Sequence, residues 1–288
     1  MAKKDRTWMI YVFPALLLVL LVGIGPLLYS LVVSTFQFNL AKLQIPFRFV
    51  GLRNYARLFT DPGFWNSLGL TLLFVAVSVS IELVLGTILA LVLAEVERGR
   101  SLFRSLFLIS MMITPIAVGL MGRFIFSDVS GIVNWTFRLL GLPRIIWYGD
   151  PRFALTTMII LDVWEWSSFV FLLVLAGLMG IPPEFYEAAH VEGAGFLARL
   201  FSITLPTLRP MYVLAALIRV IDAFKEFDKI YIMTKGGPNF ATDLFSIHNY
   251  MIAFKEFNIG MGSAMSIVFL AMMFGIGTLL VRVLTREA

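Results

Sequence analysis

Few side chains in this sequence are equipped for chemistry, and those few sit in apolar surroundings. The run "LDVWEWSS" puts Asp162 and Glu165 one helical turn apart, with Trp164 and Trp166 beside them. Carboxylates that accept hydroxyl hydrogens and indole faces that cover C–H edges are what a sugar site uses. Trp also gathers at membrane–water boundaries without any ligand, and such a belt is the simpler reading. Glu82, in "VSIELVLG", lies near the middle of another apolar run, where an ionised carboxylate is costly and must face a bundle interior or water. It either lines a pathway or subunit interface or is hydrogen-bonded to a neighbouring helix, the commoner arrangement. Arg219 and Asp222 are three apart and can pair with each other or reach Asp162 across helices, a structural ion pair being the default. Other chemistries lack their residues. With 0 Cys and 2 His that form no cluster, neither a disulfide nor a metal site is expected. The chain has no phosphate-cradling glycine loop and no nucleophile beside a base.

The elements that hold these groups are membrane spans. Hydrophobic residues make up 59% of the chain, charged ones 14%, and the mean hydropathy is +0.90, far outside the range of soluble domains. A net charge of +5 could suggest nucleic acid, but the 23 Lys and Arg are scattered between apolar runs and form no basic stripe. Basic ends of membrane spans account for them. Predominantly apolar runs cover about 9–33, 66–93, 105–126, 153–179, 202–222 and 260–283. Each is close to the roughly 20 residues that cross a bilayer core. The first follows Lys3, Lys4 and Arg6, like a signal peptide, but its apolar core exceeds the roughly 7 to 15 residues of such peptides. An uncleaved anchor is expected. In the fifth run Pro206 and Pro210 must occupy first-turn positions.

Orientation follows from basic residues near span ends. With the N-terminus inside, the inner segments hold Lys3, Lys4 and Arg6, then Arg98, Arg100 and Arg104, then Arg199, then Arg282 and Arg286. The longer outer loops hold Lys42, Arg48, Arg53 and Arg57, then Arg123, Arg138, Arg144 and Arg152, then Lys225, Lys229, Lys235 and Lys255. The higher inner density favours both termini, and segment 180–205, in the cytoplasm.

That segment contains "GIPPEFYEAAHVEGAG". Pro183 suits a first turn, Glu184 and Glu187 suit the positive end of a helix, and Gly193 supplies a stop, so a helix over Pro183 to Glu192 is expected. Phe185, Ala188, Ala189 and Glu192 share one face, and Glu184, Glu187 and Val191 its neighbour. A second piece, "FLARLFSI", carries Phe196, Leu197, Leu200, Phe201 and Ile203, which can pack back under the spans. Helices that lie on lipid favour Lys and Arg beside large apolar residues, whereas this one offers Glu and paired Ala. A groove in a protein is its better partner.

The run Glu187, Ala188, Ala189, Gly193, Ile203, Leu205, Pro206 resembles the EAA loop of ABC importer permeases, with both gaps matching. "WYGDPRFALTTMIILDVWEWSSFVFLLVLAGLMGIPPEFYEAA", "YIMTKGGPNFATDLFSIHNYMIAF" and "ITPIAVGLMGRFIF" are similar to the six-span permeases of carbohydrate uptake. Glu192 stands where that branch usually has Asp. The resemblance implies an all-α membrane protein, a single permease domain over 1–288 with six transmembrane helices and a cytoplasmic coupling helix between spans four and five. Glu187 would meet a basic residue of an ATP-hydrolysing subunit, Gly193 would make the bend, and Ala188 and Ala189 would allow close packing. The loop "KGGPN", with Gly236, Gly237 and Pro238, reads as an outer turn followed by a surface helix over 243–256. By resemblance it faces an extracytoplasmic binding protein. The implied partners are a second permease of different sequence, an ATPase dimer carrying the ATP and Mg, and membrane lipid; no nucleic acid and no bound cofactor are expected, and no catalysis by this chain. The implied place is a bacterial or archaeal cell membrane. Three alternatives are a permease for a non-carbohydrate solute, an ion-coupled carrier with buried charges placed for its ion, and a membrane enzyme, for which only Asp162 with Glu165 offers a constellation.

Overall fold

A computed structural model describes residues 7–41, 47–96 and 98–285. Lys3, Lys4, Arg6, Lys42 and Arg286 lie outside the described residues. The chain opens with α1 (Thr7–Leu18), a π-helical turn (Val19–Ile24) and α2 (Gly25–Val33). Together these give an apolar rod over Tyr11–Val33 of which only 6% is buried. Two short strands, β1 (Phe36–Gln37) and β2 (Arg48–Phe49), pair antiparallel with Phe36 opposite Phe49, and α3 (Arg53–Thr60) follows. The buried Asn54 donates to the carbonyls of Ser34 (2.7 Å) and Phe36 (2.9 Å), fixing α3 to the hairpin.

Helix α4 (Pro62–Ala94) covers the second expected span and is longer than 66–93. The third expected span, over 105–126, is not one straight helix. α5 (Arg100–Met112) ends where Pro115 forces Thr114 into extended backbone, and α6 (Pro115–Ile125) leaves at 95°. The ring of Pro115 clashes with a helical residue before it, so the rod over 105–126 breaks. α7 (Ile132–Leu139) follows, then α8 (Pro151–Met179), the fourth span. α8 starts at an N-cap: Asp150 Oδ1 accepts the Arg152 N–H at 2.9 Å. The Arg152 side chain binds the same carboxylate and holds it down at about 2.

After α9 (Pro183–Val191) come α10 (Phe196–Arg199), a π-helical turn (Leu200–Thr204), α11 (Leu205–Thr207) and α12 (Arg209–Phe224). The fifth expected span is likewise bent, by 62° at Leu208, with Pro206 and Pro210 in the first turns of α11 and α12. α13 (Asp228–Met233), α14 (Phe245–Tyr250), a third π-helical turn (Met251–Lys255) and α15 (Ile259–Thr285) complete the chain. Among the described residues four helices are therefore long and apolar enough to cross a membrane, or up to six if each bent pair is one span.

The described residues divide into two compact units, one of those up to 65 with 248–274, the other of those in 66–247 with 275–285. In the larger unit, Ala90, Leu93, Val170, Phe171, Val174, Leu208 and Ala215 form a core that joins α4, α8 and the fifth span. α4 approaches α8 closely because Gly86 has no side chain. A Cβ there would lie 2.6 Å from Val170 Cβ and 2.8 Å from the Phe171 nitrogen. Small residues at such crossings are how helices pack in lipid.

Candidate functional site

Two constellations stand out, one inside the larger unit and one on its surface. The inner one is a buried charge network. Arg219, with 0% exposure, sends Nε to Glu82 Oε2 (2.7 Å) and one terminal nitrogen to Glu82 Oε1 (3.0 Å). That nitrogen also meets Asp162 Oδ2 (3.0 Å), and the other meets Asp222 Oδ2 (3.0 Å). The planar guanidinium thus ties α4, α8 and α12 together with its fork of donors. Trp166 lies against it, its ring 4.5 Å from the guanidinium carbon. Asp162 Oδ1 accepts from Lys229 Nζ (2.6 Å), which also binds Glu165 Oε2 (2.6 Å) and Glu226 Oε2 (3.1 Å). Lys229 is 2% exposed. Lys225, at the rim, pairs with Asp222 (3.1 Å).

The expected partners are all present, and Glu82 is hydrogen-bonded to a neighbouring helix. Asp162 and Glu165 are one turn apart as the spacing required. Both are buried and bound to cations, so neither presents its carboxylate to a cavity in this conformation. Trp164 does not join them. It is 46% exposed and lines an apolar groove of about 630 Å³ between α4, α5 and α8. Sequence reasoning missed Lys229 and Glu226. The sequence offers Lys229 only as a basic residue of an outer loop, whereas in the structure it is buried among carboxylates. The available signal was the spacing of three between Glu226 and Lys229 in front of the apolar "IYIM".

The surface constellation is α9. It runs over nine residues, ending one residue before the expected Glu192. Its stop is built as the spacing implied: Gly193 has φ +75°, its N–H donates to the His190 carbonyl (3.0 Å), and the Ala194 N–H reaches back to the Ala189 carbonyl (2.9 Å). These two bonds and the left-handed glycine form a Schellman stop. No residue of α9 is fully buried. Glu184, Phe185, Glu187, Ala188 and Val191 are exposed, while Ala189 and Tyr186 are half-buried. The following piece differs from expectation. Leu200 and Ile203 are half-buried, but Phe196, Leu197 and Phe201 are exposed instead of packed back. Leu205 is half-buried and Pro206 exposed.

The loop after α13 holds unusual backbone. Lys235, Gly236, Asn239 and Phe240 all have positive φ, whereas Gly237 does not and precedes a cis Pro238. The buried Thr242 braces it by donating to the Gly237 carbonyl at 2.7 Å. The surface helix expected over 243–256 appears as α14 and its π-helical continuation, with Phe245, Ile247 and Ile252 buried. Among the described residues no group of His, Cys, Asp and Glu is arranged to hold a metal ion.

Residues 82–286 match the family described as binding-protein-dependent transport system inner membrane component. The chain is 38% identical over 272 residues to the trehalose/maltose transport system permease protein MalF of Thermococcus litoralis, covering 92% of this chain and 89% of that protein. It is 34% identical to the sulfoquinovosyl glycerol transport system permease protein SmoG of Agrobacterium fabrum, covering 95% and 89%. It is 36% identical to the trehalose transport system permease protein SugA of Mycobacterium tuberculosis, covering 93% and 85%. Its fold matches a chain of a bacterial alginate ABC transporter, solved in complex with an alginate pentasaccharide-bound periplasmic protein, at a TM-score of 0.85 and 21% identity over 98% of this chain and 96% of that one.

Proposed function

We propose, from the premise that this chain belongs to the family of binding-protein-dependent transport inner membrane components, that it moves a carbohydrate or a related polyol inward as one half of a translocation pair. The chain is a permease of the ABC transporter type and a multi-pass membrane protein. The carbohydrate class rests on the sugar-transport relatives, which match most of their length. In this reading each bent pair of helices counts as one span, giving six spans in a single permease domain with both termini cytoplasmic.

The observation that carries the mechanism is the exposed, sharply stopped α9. A nine-residue helix offering Glu187 and Ala188 to solvent suits a groove in an ATP-hydrolysing partner, with Glu187 meeting a cation there. ATP and Mg²⁺ belong to that partner, and a binding protein delivers the sugar to the outer side, where Gly236, Gly237 and Pro238 form the facing turn. Coupling requires α9 to bind its groove with different affinity in the inward and outward states, since equal affinity shifts nothing. The inner charge network serves as the scaffold of the path, with Glu82, Asp162, Glu165, Arg219 and Asp222 holding the spans and Trp164 nearest to an open groove.

The test is uptake of radiolabelled trehalose, maltose and glycerol phosphate by cells carrying the intact transporter or the Glu187→Lys variant. The parent should take up at least one of them, while the variant inserts normally, loses uptake and retains less ATPase subunit on purification. Normal uptake by the variant would remove the coupling role. Uptake driven by an ion gradient without ATP would favour an ion-coupled carrier, for which buried charges are the usual equipment.

A further inference from the structure

The covalent route from α9 to the fifth span is a compliant one. It passes through Gly193, at positive φ, and Gly195, and a Cβ added at either would meet nothing within 4 Å. It continues through the four-residue α10 and a π-helical turn before reaching Leu205. A push on α9 delivered along this path would be absorbed by the two open glycines. A second route bypasses them. Tyr186, the inward-facing residue of α9, lays its ring against the core shared by α4, α8 and the fifth span. Its hydroxyl lies 3.0 Å from Thr204 Oγ1. Thr204 is 4% exposed and donates to the Arg199 carbonyl at 3.4 Å, which leaves Tyr186 as the donor in the shared bond. The bond closes residues 186–204 into a ring. Beside it is a cleft of about 210 Å³ bordered by Leu91, Phe196 and Arg199, so the hydroxyl pair spans a place where side chains do not fill the space.

From this geometry we propose that Tyr186 and Thr204 are positioning residues for transport, forming the strut through which movement of α9 reaches the base of the fifth span. The strut rests on the reading of α9 as the helix gripped by the ATPase. Its hydroxyls touch neither sugar nor nucleotide; they set the angle between α9 and the segment that leads into Pro206 and Leu208. Removing one hydroxyl keeps the ring packed and the chain folded, and lets α9 move without taking the span with it.

This chain has no cysteine, so labels on single introduced cysteines can be read from its own band in the complete transporter in lipid vesicles. One reporter is Val191→Cys on α9, where Val191 is 87% exposed. The other is Thr207→Cys at the base of the fifth span, where Thr207 is exposed. Labelling by a membrane-impermeant maleimide is compared with and without ATP plus vanadate. In the parent both reporters should change rate. In Tyr186→Phe the Val191 reporter should still respond, while the response at Thr207 falls about five-fold, the factor that one neutral hydrogen bond carries. Thr204→Val should act alike, Thr204→Ser should restore the parent response, and the double variant should be no worse than either single one. An undiminished response at Thr207 in Tyr186→Phe overturns the strut alone. A Val191 reporter silent in the parent overturns the coupling reading and the strut with it.

Discussion

Arg219 and Lys229 are two cations held among buried carboxylates, and their geometries make different demands. Arg219 serves Glu82, Asp162 and Asp222 through three separate nitrogens, which a single ammonium cannot imitate. Arg219→Lys should therefore lose the bidentate grip on Glu82 and lower the yield of folded protein. Lys229→Met should be worse, because it strands Glu165 and Glu226 and leaves Asp162 with Arg219 alone. Removing one side of a buried pair costs about 3–5 kcal/mol. Thermal unfolding of detergent-purified protein, followed by size-exclusion chromatography, is the measurement, and parent-like stability in both variants would deny the network a structural role. Much of this network was legible in the sequence. Glu82, Asp162 and Arg219 are charges in apolar runs and needed partners. Lys229 was not, because a lysine near the end of an apolar run looks the same whether it is in water or folded back on carboxylates. Nor could the sequence separate Trp164 from Trp166, two residues apart in one run, of which only Trp166 lies on Arg219.

At the level of the helix, local rules and tertiary forces divided the outcome. The start and stop of α9 were readable because their causes are local: Pro183 opens it and Gly193 closes it. The bend between α5 and α6 has an equally local cause in Pro115, yet an apolar run over 105–126 reads as a straight rod, because hydropathy counts length and not direction. The exposure of Phe196, Leu197 and Phe201 was not legible, since an apolar face does not specify which surface will cover it. A prediction follows from the stop of α9. Gly193→Ala keeps the chain able to turn but places a Cβ at φ +75°, at a penalty of about 1–2 kcal/mol, with no neighbour to clash against. Gly193→Pro forbids that φ altogether and removes the N–H that donates to His190. Sugar uptake at equal membrane abundance should fall partly in the first variant and be abolished in the second. Equal uptake in both would mean that the turn contributes nothing to transport.

On the scale of the chain, the decisive quantity is which side of the bilayer each loop occupies. Burial cannot supply it, since the rod over Tyr11–Val33 is almost wholly exposed. Charge supplies it weakly. The inner segments are denser in Lys and Arg only because the outer loops are longer. If the proposed six spans and inner N-terminus hold, α9 lies in the cytoplasm and the loop after α13 outside. Cysteine placed singly at Val191 and at Asn239, both exposed, separates the possibilities in a chain that has no cysteine of its own. In intact spheroplasts an impermeant maleimide should label Asn239→Cys and leave Val191→Cys untouched, and inverted vesicles should reverse the pattern. Labelling of both positions from the same side would require an even number of crossings between them. The bent fifth span would then dip into the membrane and return, and α9 could not reach an ATPase while that loop faced the sugar supply.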